Sequence, residues 1–328
     1  MNKCCFIIPY FGKLPKTFPI FLKSCAKNPE FNWLIFTNDD TAFDYPLNVS
    51  VVHMTLDELS SLADKKLGFK VALDKAYKLC DFKPAYGFIF EDYIQNYSHW
   101  GHCDIDTVLG DLKSFLTDDL LSKYDKLFCM GHFIIYKNSY ENNRVFMSPY
   151  KGICLYKDVF TSPQICWFDE EWNGDKNINR LFISAGKSVL QEDYSCNFNV
   201  YHQKFIRETF SIDEKSGLPL HSCEKYIDAL YYWSNGHAGR IYIKDKRLFN
   251  EEFMYMHFQW RKMHFKPNVL SANSFKVIPN SFVCIDKLPS TISDFNKIRR
   301  WGICFYKLEL FYKEQIQRRV SKLYTFFR

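Results

Sequence analysis

The stretch Tyr97-Ser98-His99-Trp100-Gly101-His102-Cys103-Asp104-Ile105-Asp106 decides how this chain is read. Its aromatic first half, bounded by polar residues, reads as a strand over Tyr97–Cys103 that runs directly into an acidic triplet. In extended backbone, residues i and i+2 point to the same side, so Asp104 and Asp106 can face one site. Hard carboxylate oxygens suit Mg²⁺ or Mn²⁺, ions that take the rest of their shell from water and substrate phosphates. An Asp-x-Asp triplet is common by chance, so its place at a strand end is what gives it weight.

The flanking sequence supplies the sheet. Cys4–Ile8 reads as a buried strand ended by Pro9 and Gly12, Trp33–Phe36 as a second and Asn48–His53 as a third. Phe18–Cys25 reads as a short helix with Pro19 in its first turn. A long helix is expected from about Asp57 to Cys80, with a break near Gly68. Phe128–Met130, Phe133–Tyr136 and Phe253–Phe258 read as later strands. Strands alternating with helices define an α/β sheet, and ligands collect in loops at the carboxyl ends of such strands. Three polar clusters fall there: Pro9–Gly12, Thr37–Asp40 and Asp104–Asp106.

Composition narrows the function. The 328 residues are 47% hydrophobic and 24% charged, which suits a globular chain with room for a large core. From Asp294 onward nine Lys/Arg face three acids, an excess equal to the net charge of +6 of the whole chain. The remainder is neutral, so no nucleic-acid partner is expected. The 12 Cys include no CxxC pair, against a zinc knuckle or a disulfide framework. With no apolar run near the ~20 residues that span a bilayer, a cytoplasmic location is expected.

Four segments together carry a resemblance: Ile7-Ile8-Pro9-Tyr10-Phe11-Gly12, Phe36-Thr37-Asn38-Asp39, Asp81-Phe82-Lys83-Pro84-Ala85-Tyr86-Gly87 and Trp100–Asp106. Over roughly residues 3–265 the chain resembles a bacterial capsule and O-antigen polysaccharide-biosynthesis glycosyltransferase family, distantly similar to the DXD-containing sugar transferases. The resemblance implies a GT-A fold with a Rossmann-like mixed central sheet and flanking helices, a nucleotide-sugar donor and Mn²⁺ or Mg²⁺. It implies that Pro9, Tyr10 and Phe11 line the nucleotide pocket, that Asn38 and Asp39 meet base or ribose, and that Asp81 and Lys83 contact the donor. It also implies that Asp104 and Asp106 bind the metal and that His257, at the end of an alternating run, is the third ligand. Lys262 would then meet the diphosphate as a point charge.

An inverting transferase needs a carboxylate near the acceptor hydroxyl. Two acidic clusters offer one, Phe168-Asp169-Glu170-Glu171 and Gln191-Glu192-Asp193. Asp193 resembles the base of inverting GT-A enzymes, with Asp169 and Glu170 as the other candidates. At the C-terminus Trp301, Phe305, Leu308, Tyr312, Ile316, Val320, Leu323 and Phe327 recur every three or four residues between basic ones. That pattern reads as an amphipathic helix lying on an anionic membrane surface.

The expectation is a GT-A domain over residues 1–290 and a basic helical tail over 291–328. It would move a hexose of galactose or glucose type from a UDP-linked donor to a lipid-linked oligosaccharide, at the inner face of the cell membrane. Two readings compete. Asp104-Ile105-Asp106-Thr107-Val108 also fits the start of a haloacid-dehalogenase-type phosphatase, with Asp104 as nucleophile. A non-catalytic sugar- or membrane-binding module is the other.

Overall fold

The computed structural model describes residues 2–172, 174–213, 215, 217–259, 261–299 and 311. These residues form two compact units. The first holds those within 1–107, 111–194 and 210–221, and the second holds those within 108–110, 195–209 and 222–299, with 311.

The first unit is built on a seven-stranded mixed sheet. Strands β1 (Asn2–Pro9), β2 (Phe31–Thr37), β3 (Val49–His53) and β4 (Tyr97–Cys103) lie in the order β3-β2-β1-β4 and are all parallel. Phe133–Lys137 then pairs antiparallel with β4, and Lys126–Leu127 and Val189–Leu190 complete the sheet. This is the Rossmann-like mixed α/β sheet with flanking helices that the sequence led us to expect. The period of two decides its burial. Cys5 and Ile7 pack with Leu34, Phe36, Leu59, Ala63, Trp100 and Tyr136 on one face. Phe6 points the other way, stacking on Trp33 at 5.6 Å and meeting Phe133 at 4.9 Å.

Helix α1 (Phe18–Cys25) has the expected bounds, with Pro19 in its first turn. Helix α2 (Leu56–Leu67) starts at a capping box between Thr55 and Glu58 and stops where Gly68 turns left-handed at φ 79°. The expected helix to Cys80 therefore overran. Beyond Gly68 the backbone finds partners outside a helix: Val71 N donates to Asp64 Oδ1, and Ala72 N donates to Phe160 O. The expected strand at Phe128–Met130 is also absent, because Phe128 has φ 71° and closes the short strand before it.

The second unit centres on an antiparallel meander of Ala229–Ser234, His237–Lys244 and Arg247–Phe253. Its tight turns place Asn235 and Gly236, then Asp245 and Lys246, at positive φ. The single strand expected over Phe253–Phe258 is two, since Met254 bends between Phe253 and Tyr255–His257.

All described cysteines are free. Cys4, Cys5, Cys25, Cys103, Cys129 and Cys196 are buried, whereas Cys154 and Cys223 are exposed. No helix among the described residues is long and apolar enough to cross a membrane. The eight residues of the expected amphipathic stripe from Trp301 to Phe327 lie outside the described residues.

Candidate active site

The parallel order β2-β1-β4 brings the three loops to one edge of the first unit's sheet. Gly12, at φ 101°, donates its N–H to Asn38 Oδ1 at 2.8 Å, which ties the β1 loop to the β2 loop. Asp39 completes the tie. Its carboxylate accepts from Leu14 N at 2.8 Å and Lys13 Nζ at 2.7 Å, and also from Thr41. The Lys13, Thr41 and Leu14 hydrogen bonds hold that carboxyl well below the usual range. Asp39 thus organises the loop from a buried position. Tyr10 lies close enough for burial and the charges of Asp106 and Asp39 to push its phenol up.

At the end of β4, Asp104 N donates to His132 O at 3.0 Å, and Thr107 Oγ1 donates to Asp104 O at 2.7 Å. The turn so fixed buries Ile105 and leaves Asp104 and Asp106 half-buried on either side of it. The strand ends at Cys103, so it is this turn and not strand alternation that sets the two carboxylates, which are of the type that ligates hard cations.

Lys83 joins the acidic groups. Its Nζ lies 2.9 Å from Asp104 Oδ1 and 3.4 Å from Asp169 Oδ2, and it donates to Gly131 O at 2.8 Å. Burial disfavours its charge, but Asp104 and Asp169 outweigh that and raise the ammonium well above the ordinary lysine value. Asp169 is itself buried, and desolvation pushes its carboxyl up to about 8 against the pull of Lys83, with Glu170 and Asp104 adding to the rise. Gly131 N donates to Glu170 Oε2 at 3.2 Å. A Cβ on Gly131 would stand 2.5 Å from Asp169 Oδ2, so only glycine lets the two acids close over this backbone.

The remaining expected residues have different surroundings. Asp81 is fully buried and its oxygens accept from Lys78 Nζ, Cys166 N and Phe168 N, so it acts as a clamp on the chain at 166–168. Asp193 accepts from Phe210 N at 3.2 Å and lines a cleft of about 540 Å³ with Tyr124, Glu192, Tyr194 and Phe210.

His257 and Lys262 belong to the second unit. Lys262 is exposed. His257 is buried, with Nδ1 2.9 Å from Asn197 Oδ1. That oxygen also accepts from Gln259 Nε2 at 2.8 Å, while Asn197 Nδ2 donates to Glu208 Oε2 at 3.0 Å. An amide oxygen receiving one N–H can accept a second, so His257 Nδ1 is the donor to Asn197 Oδ1. No local pattern announces this hub, because its hydrogen bonds join residues 11 to 62 positions apart.

A model of the family described as "Family of unknown function (DUF6625)" matches residues 6–286. The chain belongs to that family. No curated protein matches the sequence. Solved structures similar to the chain include the galactosyltransferase LgtC in complex with donor and acceptor sugar analogs, with a TM-score of 0.33 at 11% identity over 59% of this chain and 75% of that one. An active-site mutant of LgtC gives 0.32 at 11% identity over 59% and 74%. The apo form of mouse xyloside xylosyltransferase 1 gives 0.35 at 7% identity over 61% and 88%. These likenesses are distant, and the site is read from its own residues.

Proposed function

We propose that the chain is a metal-dependent glycosyltransferase of GT-A type, moving a hexose from a UDP-linked donor to a lipid-linked glycan in surface-polysaccharide synthesis. The observation that carries the reading is the Asp104-Ile105-Asp106 loop. It leaves β4 at the sheet edge shared with the β1 and β2 loops, with Lys83 on Asp104.

The donor chemistry fits a hard divalent cation, since Asp104 and Asp106 are half-buried carboxylates that offer oxygen. In the proposed enzyme Asp104, Asp106 and His257 hold Mn²⁺ or Mg²⁺. That ion would neutralise charge on the leaving diphosphate. Lys83 pairs with Asp104 and orients it. Pro9, Tyr10, Phe11 and Asn38 form the nucleotide side, on a loop held in place by Asp39, and Lys262 meets the diphosphate. Asp193 is the proposed base for the acceptor hydroxyl. Asp169 is the weaker candidate because burial keeps it protonated near neutral pH. Residues 1–290 would act as one transferase module and 291–328 as its membrane-facing tail on the cytoplasmic side. Equal liposome binding with and without residues 295–328 would remove that tail's role.

Calorimetry of UDP with and without Mn²⁺ tests the reading. Binding should require Mn²⁺ and be lost in Asp104→Ala and Asp106→Ala while the melting temperature holds. Unchanged UDP affinity in both variants sinks the assignment.

A further inference from the structure

Trp167 is a bulky side chain in a backbone conformation that disfavours it. Its φ is 54°, in the left-handed region, and its residue surface is 40% exposed. Such a conformation persists only where its surroundings over-determine it. Here Asp81 does so from below. Its carboxylate accepts N–H groups from both neighbours of the strained residue, Cys166 at 2.9 Å and Phe168 at 3.0 Å. Lys78 neutralises Asp81 at 2.8 Å and also donates to Gln164 O at 2.6 Å. Phe168 is sunk in the core on the far side, and its carbonyl accepts from Ile178 N. The chain is therefore pinned immediately before and after Trp167. Among the described residues, Trp167 has no hydrogen bond or ring partner to account for its place.

A fully buried ion pair has been committed to presenting one indole to solvent, two residues before Asp169. The surroundings resemble those a sugar needs. Glu170 follows as a half-buried acceptor, and Trp172 is 53% exposed. Tyr77 is 66% exposed and within the electrostatic reach of Glu170 and Asp104. A pyranose offers an apolar C–H face for an aromatic ring and hydroxyls for nearby carboxylates, so exposed indoles beside acids suit a neutral saccharide. The adjacent Glu170 carboxyl disfavours a phosphate.

We propose that Trp167 is the stacking platform for the acceptor saccharide, held in place by the Asp81 clamp. The proposal rests on the glycosyl-transfer reading of the adjoining Lys83–Asp104–Asp169 site. It adds a binding residue and commits the ligand to an uncharged hexopyranoside.

Saturation-transfer NMR on the full chain, with lactose, methyl β-glucoside and N-acetylglucosamine as probes, tests it. At least one probe should bind wild type. Trp167→Ala should weaken that binding 10-fold or more, and Trp167→Phe should restore part of it because a ring remains. Trp167→Gly should lose the sugar and raise the melting temperature, as expected when strain is kept for binding. No signal from any probe with wild type overturns the proposal, as does equal binding by Trp167→Ala. UDP·Mn²⁺ calorimetry on the same samples separates the two readings. Trp167-dependent sugar binding without nucleotide binding keeps the platform and ends the transferase assignment. Nucleotide binding with Trp167-independent sugar binding does the reverse.

Discussion

Lys83 Nζ stands 2.9 Å from Asp104 Oδ1, and the two side chains are 12% and 36% exposed. The lysine is thus the more buried partner, with its second contact to Asp169 deeper still. It links the metal-type loop to the acidic cluster over Gly131.

Replacing this lysine should expose the link. Breaking a buried pair typically costs about 3–5 kcal/mol. In Lys83→Met the cost is relieved wherever Asp169 takes up a proton. The variant should therefore lose more melting temperature at pH 8.5 than at pH 6, without added metal. A loss independent of pH would show that Asp169 does not sense Lys83.

Asp169 gives a second pH test. Its folded carboxyl is raised above its unfolded value, so the native state holds the proton more tightly. Its contribution is fully present below the unfolded value near 4 and is lost as pH rises towards about 8. Relative to Asp169→Asn, wild type should lose up to about 2 °C of melting temperature per pH unit between pH 5 and 8. Parallel melting curves across that range would contradict the shift.

Gly131 should tolerate no side chain. With a Cβ 2.5 Å from Asp169 Oδ2 and 3.1 Å from Glu170 Oε2, Gly131→Ala should cost about 1–3 kcal/mol by overpacking. It should also weaken UDP·Mn²⁺ binding by displacing Lys83 from Gly131 O. Denaturant unfolding and calorimetry read the two effects separately.

Asn197 should act through His257. Losing the partner that fixes a ligating imidazole typically lowers metal affinity about 10–100-fold. Asn197→Ala should show such a fall in Mn²⁺ affinity by electron paramagnetic resonance. Asn197→Asp should keep more of it, since an acceptor for Nδ1–H remains.

The sheet was legible because its strands carry their own signals. Cys4–Ile8, Trp33–Phe36 and Tyr97–Cys103 are apolar runs stopped by polar loops, and their alternation with helices marks an α/β sheet. The expected helix overran at Gly68 although Lys65, Lys66 and the glycine spell a C-terminus. Val71 and Leu79 prolonged the apolar pattern, yet their burial is satisfied by tertiary contacts. The Asn235-Gly236 turn carries its own hairpin signal in the sequence. Within the site, Asp104 and Asp106 declare themselves by spacing. The Asp81 clamp, the Gly131 fit and the Asn197 hub depend on residues far apart in sequence, and no local pattern announces them.

The cysteines carry a practical consequence. Burial pushes the thiols of Cys4, Cys25, Cys103 and Cys196 up and keeps them out of the reactive thiolate form. Cys154, in the first unit, and Cys223, in the second, are exposed. With Cys304 changed to serine, brief maleimide treatment should favour those two positions. The chain then carries its own pair of spectroscopic rulers, one per unit, whose separation can be read as nucleotide and Mn²⁺ are added.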